Sequence, residues 1–162
     1  MSGISLRYIV KPGGRLSGQL RVPGDKSISH RAVMFGALAD GVTTVEGFLT
    51  GEDCLCTMKA FQAMGVSIER SGDTSLRIHG VGLHGLKSPD GPLDLGNSGT
   101  SMRLMAGLMS GQHFTSTLVG DASLSKRPMK RIIGPLEQMG ARIESNDGRS
   151  PLNILPHKHL HG

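Results

Sequence analysis

The sequence predicts an α/β protein in which one β-α-β-α-β-β unit is used twice. Three observations carry this. Short β-branched or alternating runs recur between longer runs whose apolar residues fall at helical spacing. The same residues return in the same order: Arg31 corresponds to Arg103, Gly51 to Gly120, and Met64-Gly65 to Met139-Gly140. Both second helices also run into Met-Gly-x-x-Ile-Glu, a self-similarity that points to a duplicated unit.

Taken in order, Ile4 to Val10 alternates like a strand, and Lys11-Pro12-Gly13-Gly14 breaks it. Leu16 to Val22 reads as the next strand. A helix is expected from Ser27 to Ala39, closed by Asp40-Gly41, and then a strand from Thr43 to Phe48. Glu52 and Asp53 place acids where a second helix begins, with Cys54, Met58 and Phe61 on one face and Gly65 at its end. Val66 to Glu69 and Leu76 to His79 are short strands joined at Ser71-Gly72-Asp73. The second copy opens with Leu93 to Leu95, and a Gly-rich turn leads into a helix through Met109, closed by Gly111. Thr115 to Val119 follows as a strand. A helix near Pro128 then carries Met129, Ile132, Leu136 and Met139 on one face. Pro135 removes a ladder bond there, so a kink or a late start is expected. Ala141 to Glu144 and Leu152 to Leu155 close the copy. The two units occupy residues 15–80 and 91–156, flanked by residues 1–14 and 157–162.

Composition narrows the function. At 162 residues the chain can bury a proper core. Its 24 glycines imply many tight turns and close backbone approaches. With no Trp, one Tyr and four Phe it lacks the stacking platforms of single-strand nucleic-acid binders. The net charge of +5 comes from Lys and Arg scattered in ones and twos, which favours small anions as ligands over nucleic acid. Cys54 and Cys56 form neither a disulfide framework nor a zinc set, in keeping with a reducing cytoplasm. No leader or long apolar span is read in the sequence, so a cytoplasmic protein away from membranes is expected.

Three clusters carry chemistry, each at the start of a helix. In the first, Gly24-Asp25-Lys26-Ser27-Ile28-Ser29-His30-Arg31, Lys26 stands at the entrance and Arg31 lies one turn beyond Ser27. Unpaired N–H groups, the helix dipole, an ammonium and a guanidinium there suit a phosphate or a carboxylate. A capping Ser27 beside two solvated charges is the plainer reading. The order is not that of a nucleotide P-loop, because Asp25 separates Gly24 from Lys26. In the second cluster, Leu95-Gly96-Asn97-Ser98-Gly99-Thr100-Ser101-Met102-Arg103, two glycines let the backbone approach a ligand, and Arg103 again lies one turn in. A Gly-rich turn with Arg103 in a structural ion pair explains the same residues. In the third, Gly120-Asp121 through Arg127-Pro128-Met129, Lys126 and Arg127 are displayed before a Pro-started helix.

Together these three segments closely resemble the bacterial 5-enolpyruvylshikimate-3-phosphate synthase family, over a stretch from about Ile9 to Leu155. The resemblance implies the enolpyruvyl transferase fold, an inside-out α/β barrel. In it, repeated β-α-β-α-β-β units turn their helices inward and their sheets outward, three units to each of two domains. It implies transfer of the enolpyruvyl group of phosphoenolpyruvate to the 5-hydroxyl of shikimate 3-phosphate, in aromatic amino acid biosynthesis, by a protein that is monomeric at full length. No metal or organic cofactor, nucleic acid or membrane is implied. By motif position, Lys26 is the catalytic residue and touches both substrates. Ser27 and Arg31 join it on shikimate 3-phosphate. Asn97, Gly99 and Arg127 join it on phosphoenolpyruvate, with Thr100 and Arg103 in support. His30 could serve as a base, but the family position only flanks the site, and a helix-surface role is expected. Cys54 and Cys56 are expected in packing.

Family members are considerably longer. The resemblance therefore places residues 1–14 with a second domain not in this sequence and reads residues 157–162 as a truncated tail, with His157, His159 and His161 in a loop. The carboxylates for proton transfer lie in that second domain, so this chain alone is expected to be inactive. A related family, UDP-N-acetylglucosamine enolpyruvyl transferase, carries a reactive Cys on the loop matching Gly120 to Pro128, and this loop has none. A non-catalytic anion-binding module and a ligand-free repeat scaffold remain as readings of the same basic helix starts.

Overall fold

A computed structural model describes residues 7–156 and 159–162. The first unit contains helix α1 (Lys26–Leu38), strand β1 (Asp40–Val45), helix α2 (Glu52–Ala63) and strands β2 (Ser67–Arg70) and β3 (Leu76–Val81). The second contains β4 (Leu93–Asp94), α3 (Gly99–Ser110), β5 (Ser116–Val119), α4 (Lys130–Gln138), β6 (Arg142–Asn146) and β7 (Arg149–Leu155), with a 3-10 turn at Leu124–Lys126.

The two sheets repeat one topology. In the first the order is β1-β3-β2, all antiparallel. In the second it is β4-β5-β7-β6, where β5-β7-β6 matches β1-β3-β2 and β4 adds a parallel strand outside β5. Among the described residues the first unit has no such outer strand. Leu16 to Val22, expected to supply it, runs as irregular chain with Leu16, Leu20 and Val22 exposed. Apolar alternation makes a strand only where a neighbouring edge takes up its N–H and C=O groups, and this segment meets none. Arg7 to Val10 likewise forms no strand; Ile4 to Leu6 lie outside the described residues.

Several boundaries move for local reasons. Strand β1 begins at Asp40, directly after α1, because Gly41 at φ +100° turns the chain without a loop. It stops at Val45, opposite Leu76. Helix α4 starts late, at Lys130, and Pro128 lies before it rather than in its first turn. The Met129 N–H is spent on Gly148 O at 2.7 Å, which anchors that start to the β6–β7 turn. The buried face of α4 is formed by Met129 and Ile133, with Ile132 and Leu136 partly covered, while Met139 faces solvent.

The core is continuous across both units and rich in methionine: Met34, Met58, Met64, Met102, Met105, Met109 and Met129 are all buried. Flexible thioethers fill the irregular spaces that scarce aromatics leave. Cys54, Met58 and Phe61 line the buried face of α2 as the spacing requires. Helix α1 packs on α2 and β3, and α3 packs on α4 and β7. The helices of the two units meet through polar side chains. No barrel closes among the described residues.

Candidate active site

The start of α1 is capped by Asp25, whose carboxylate accepts the Ile28 N–H at 2.7 Å. Lys26, not Ser27, is therefore the first helical residue. Ser29 is buried, and its hydroxyl donates to Asp25 O at 2.7 Å while accepting the Leu49 N–H at 3.0 Å, which fastens the helix start to the next loop. Gly24 has to be glycine for a similar reason: a Cβ there would lie 1.9 Å from Gly47 O. On this anchored turn the Lys26 ammonium pairs with the carboxylate of Asp53, from the first turn of α2. Ser27 and Arg31 are exposed, and neither side chain has a hydrogen bond or ion pair among the described residues.

The second start is built differently. Ser98 caps α3, its hydroxyl accepting the Ser101 N–H at 3.1 Å. Two guanidinium groups converge over Gly99. A Cβ at that position would lie 2.7 Å from Arg103 Nη1 and 3.1 Å from Arg127 Nη1, so the bare backbone makes room for both. Arg103 donates to Gly99 O at 2.9 Å. Arg127 donates to the Asn97 side-chain oxygen. Asn97 in turn donates from Nδ2 to Asp121 at 2.8 Å, which orients its oxygen toward Arg127.

Asp121 organises the third cluster. Besides Asn97 it accepts the N–H groups of Leu124 at 2.7 Å and Ser123 at 2.9 Å. The Leu124 amide first, then Asn97, with smaller help from Ser123 and the Arg127 charge, hold its carboxyl below the usual range. Lys126 is exposed on the 3-10 turn.

The structure thus brings Asn97, Gly99, Arg103 and Arg127 into direct contact and leaves Lys26 in a separate ion pair. Thr100 is half-buried beside Gly99. What joins the two groups is a buried chain between the units. His30 Nδ1 lies 2.8 Å from Thr57 Oγ1, Thr57 Oγ1 lies 2.6 Å from Ser101 Oγ, and Ser101 Oγ donates to Ser98 Oγ at 2.7 Å. His30 is fully buried, which corrects its expected place on the helix surface. Burial first, and the Lys26 charge second, push its pKa down, with Asp53 opposing.

Sequence reading gave Asp53 no part in the site, quoted Asp121 in the third cluster without a role, and did not find the buried chain through His30. The Glu52-Asp53 pair has the signature of acids complementing a helix dipole, and that signature carries no sign of a lysine across the fold. Cys54 is buried as expected, and burial raises its thiol pKa. Among the described residues no group of three or more His, Cys, Asp or Glu side chains is placed to hold a metal ion. No helix there is long and apolar enough to cross a membrane. His157 lies outside the described residues; His161 donates its N–H to Met139 O at 2.7 Å.

Comparison with known proteins gives the family. The profile of the family EPSP synthase (3-phosphoshikimate 1-carboxyvinyltransferase) matches residues 10–161. The 3-phosphoshikimate 1-carboxyvinyltransferase of Methylococcus capsulatus is 64% identical over 156 residues, covering 96% of this chain and 36% of that protein. That of Hydrogenovibrio crunogenus is 60% identical over 159 residues, covering 98% and 36%. A solved structure of EPSP synthase from Acinetobacter baumannii superposes with a TM-score of 0.85 at 56% identity, over 90% of this chain and 33% of that one. The chain spans about a third of the length of these relatives. A match that runs through all three helix starts and both units leaves one assignment: the chain belongs to the EPSP synthase family.

Proposed function

We propose that this chain supplies part of the site that transfers the enolpyruvyl group of phosphoenolpyruvate to the 5-hydroxyl of shikimate 3-phosphate. In that reaction a bond forms between the attacking hydroxyl oxygen and C2 of the enolpyruvyl group, the bond from C2 to the phosphate oxygen breaks, and the hydroxyl proton leaves, on balance, with inorganic phosphate. Both substrates are multiply charged anions that repel each other. Fixed cations offset that repulsion and stabilise the charge on the departing phosphate.

The observation that carries the proposal is the pair of guanidinium groups held over Gly99, with Asn97 and Asp121 setting the direction of one of them. Planar guanidinium groups suit the bidentate capture of carboxylate or phosphate. In this reading Gly99, Asn97 and Arg127 receive phosphoenolpyruvate, with Arg103 and Thr100 in support. Ser27 and Arg31, exposed and uncommitted among the described residues, take shikimate 3-phosphate. Lys26 exchanges Asp53 for the two substrates and is the catalytic cation. Residues 15–80 and 91–156 act as the two units of the site, and residues 1–14 and 157–162 lie outside them. The protein works as a cytoplasmic monomer on soluble metabolites, with no nucleic acid or membrane partner.

The test is calorimetric titration of the chain with shikimate 3-phosphate in competition with inorganic phosphate. Poor competition by phosphate supports recognition of the ring, and equal competition reduces the site to a generic anion-binding module. The chain alone is expected to show no turnover, because closure around both substrates needs cations and carboxylates from elsewhere. Phosphate release that depends on both substrates would overturn that expectation.

A further inference from the structure

We propose that His30 is a positioning residue that sets the two anion-binding helix starts against each other, donating from Nδ1 into a buried hydrogen-bond chain through Thr57 and Ser101 to Ser98. The chain's geometry stands by itself; its role in placing substrates rests on the function proposed above.

Donor accounting gives the chain one direction. The Ser98 hydroxyl accepts both the Ser101 N–H at 3.1 Å and the Ser101 hydroxyl at 2.7 Å. Having given its proton to Ser98, Ser101 Oγ accepts at 2.6 Å from the Thr57 hydroxyl. Thr57 Oγ1 also lies 3.3 Å from Asp53 O, a longer contact; with its one proton spent on the shorter contact to Ser101, it accepts at 2.8 Å, which places the hydrogen of His30 on Nδ1. Nε2 is left bare, 3.9 Å from the Cys54 sulfur. His30, Cys54, Thr57, Ser98 and Ser101 are all buried, so water does not replace a lost link.

Protonating Nε2 would aim a second N–H at a thiol, a weak acceptor, inside the core. The charged or titratable groups around His30 are Lys26 from its own helix and Asp53 and Cys54 from α2; from α3 it meets the Ser101 hydroxyl. Burial and Lys26 outweigh Asp53, so the ring is held neutral.

The two ends of the chain give it its role. Lys26 lies one helical turn before His30, and the Cys54 thiol reaches back toward Lys26 O at 3.7 Å. At the far end Ser98 directly precedes Gly99, over which Arg103 and Arg127 converge. One residue from each of α1, α2 and α3 therefore ties the ammonium of the first start to the guanidinium groups of the second. A ligand gripping both starts needs that distance held; an anion using one start does not.

The experiment uses the 162-residue chain, isotope-labelled for NMR. The His30 imidazole is expected as the Nδ1–H tautomer, taking up its second proton only below the pH where an exposed imidazole does. In Thr57→Val and His30→Leu, amide hydrogen exchange at Ser101 should quicken roughly tenfold, about the effect of one net hydrogen bond. Affinity for shikimate 3-phosphate should fall about tenfold while that for inorganic phosphate holds. His30→Asn places an amide N–H near the Nδ1 position and should restore most of both. A residue that merely fills space would be rescued by Leu, not by Asn. An Nε2–H tautomer, or Ser101 exchange unmoved in Thr57→Val and His30→Leu, overturns the proposal. If exchange responds as stated but the unsubstituted chain does not bind shikimate 3-phosphate, the chain's coupling is upheld and the proposed function is what fails.

Discussion

The two units share a scaffold but finish their helix starts in opposite ways. The first closes α1 with a carboxylate, Asp25, and neutralises Lys26 with a second one, Asp53. The second closes α3 with a neutral hydroxyl, Ser98, and gathers two guanidinium groups over bare backbone at Gly99. An ionised cap satisfies the positive end of its helix from within, whereas a hydroxyl cap satisfies one amide and leaves the dipole open to an outside anion. Duplication therefore supplied two equivalent positions, and the choice of capping residue gave them different electrostatics.

The largest test of the comparison lies in the core. Met64 and Met139 occupy matching positions after α2 and α4, yet Met64 is fully buried and Met139 is 37% exposed. A returning chain bonds to each carbonyl, Lys87 N–H to Met64 O at 2.9 Å and His161 N–H to Met139 O at 2.7 Å, so the backbones match and only the cover over the side chains differs. Met64→Ala should cost about 2–5 kcal/mol, as expected for a buried methionine. Met139→Ala should stay within about 0.5 kcal/mol, as for an exposed site. Urea denaturation midpoints measure both, and equal costs would show that the units bury their cores alike.

A second test reads the electrostatics. Asp53→Ala and Asp121→Ala each remove one negative charge, so a long-range field alone would raise the affinity for phosphate in both. The geometry predicts opposite signs. Losing Asp53 frees Lys26, a half-exposed partner in a pair whose strength water limits, and should raise phosphate affinity roughly two- to fivefold. Losing Asp121 lets Asn97 rotate and Arg127 drift from Gly99, and should lower it about five- to tenfold. Calorimetric titration with inorganic phosphate separates the two cases.

Much of this was legible in the chain, and the gaps have physical causes. Helix positions, the hairpin at Ser71-Gly72-Asp73 and the repeat follow from local periodicity and glycine punctuation, which act within a few residues. Most of the Gly99 cluster was readable because Gly96, Asn97, Gly99 and Arg103 lie within eight residues of sequence, while Arg127 stood out as a base displayed before Pro128. The strand at Leu16 to Val22 failed because pairing is a property of the partner edge, not of the run itself. His30 was misplaced on the surface because its partners, Thr57 and Ser101, are distant in sequence and neither carries a motif. Asp53 was read for its own helix, and nothing local reveals that it faces Lys26.

A third test returns to Gly99. In Gly99→Ala the new methyl would meet only the flexible ends of Arg103 and Arg127. Backbone geometry is helical there, so stability should change by less than about 0.5 kcal/mol. Phosphate affinity should nevertheless fall roughly threefold as the guanidinium groups are pushed apart. Ser27→Ala in the first unit, where no groups converge, should leave phosphate affinity within error.

The smallest effects are pH effects, and they differ by location. His30, at the junction, and Asp121, in the second unit, both have lowered pKa values in the folded state. For each, the unfolded chain takes up its proton before the folded one does, so stability is lost as pH falls. For His30 the loss begins below the ordinary imidazole value of about 6.5, and for Asp121 below the ordinary carboxyl value of about 3.9. Denaturation midpoints followed downward from neutral pH should therefore fall in two stages. His30→Leu should flatten the upper stage alone, because the junction is the only one of the two places where the lowered value comes chiefly from burial. Asp121→Asn should shrink the lower stage and leave the upper one unchanged; Asp147, held low by Lys130 and Arg149, supplies the remainder of that lower stage. A single acid transition untouched by either substitution would mean that the interior of the junction and the loop of the second unit do not hold these groups as their contacts require.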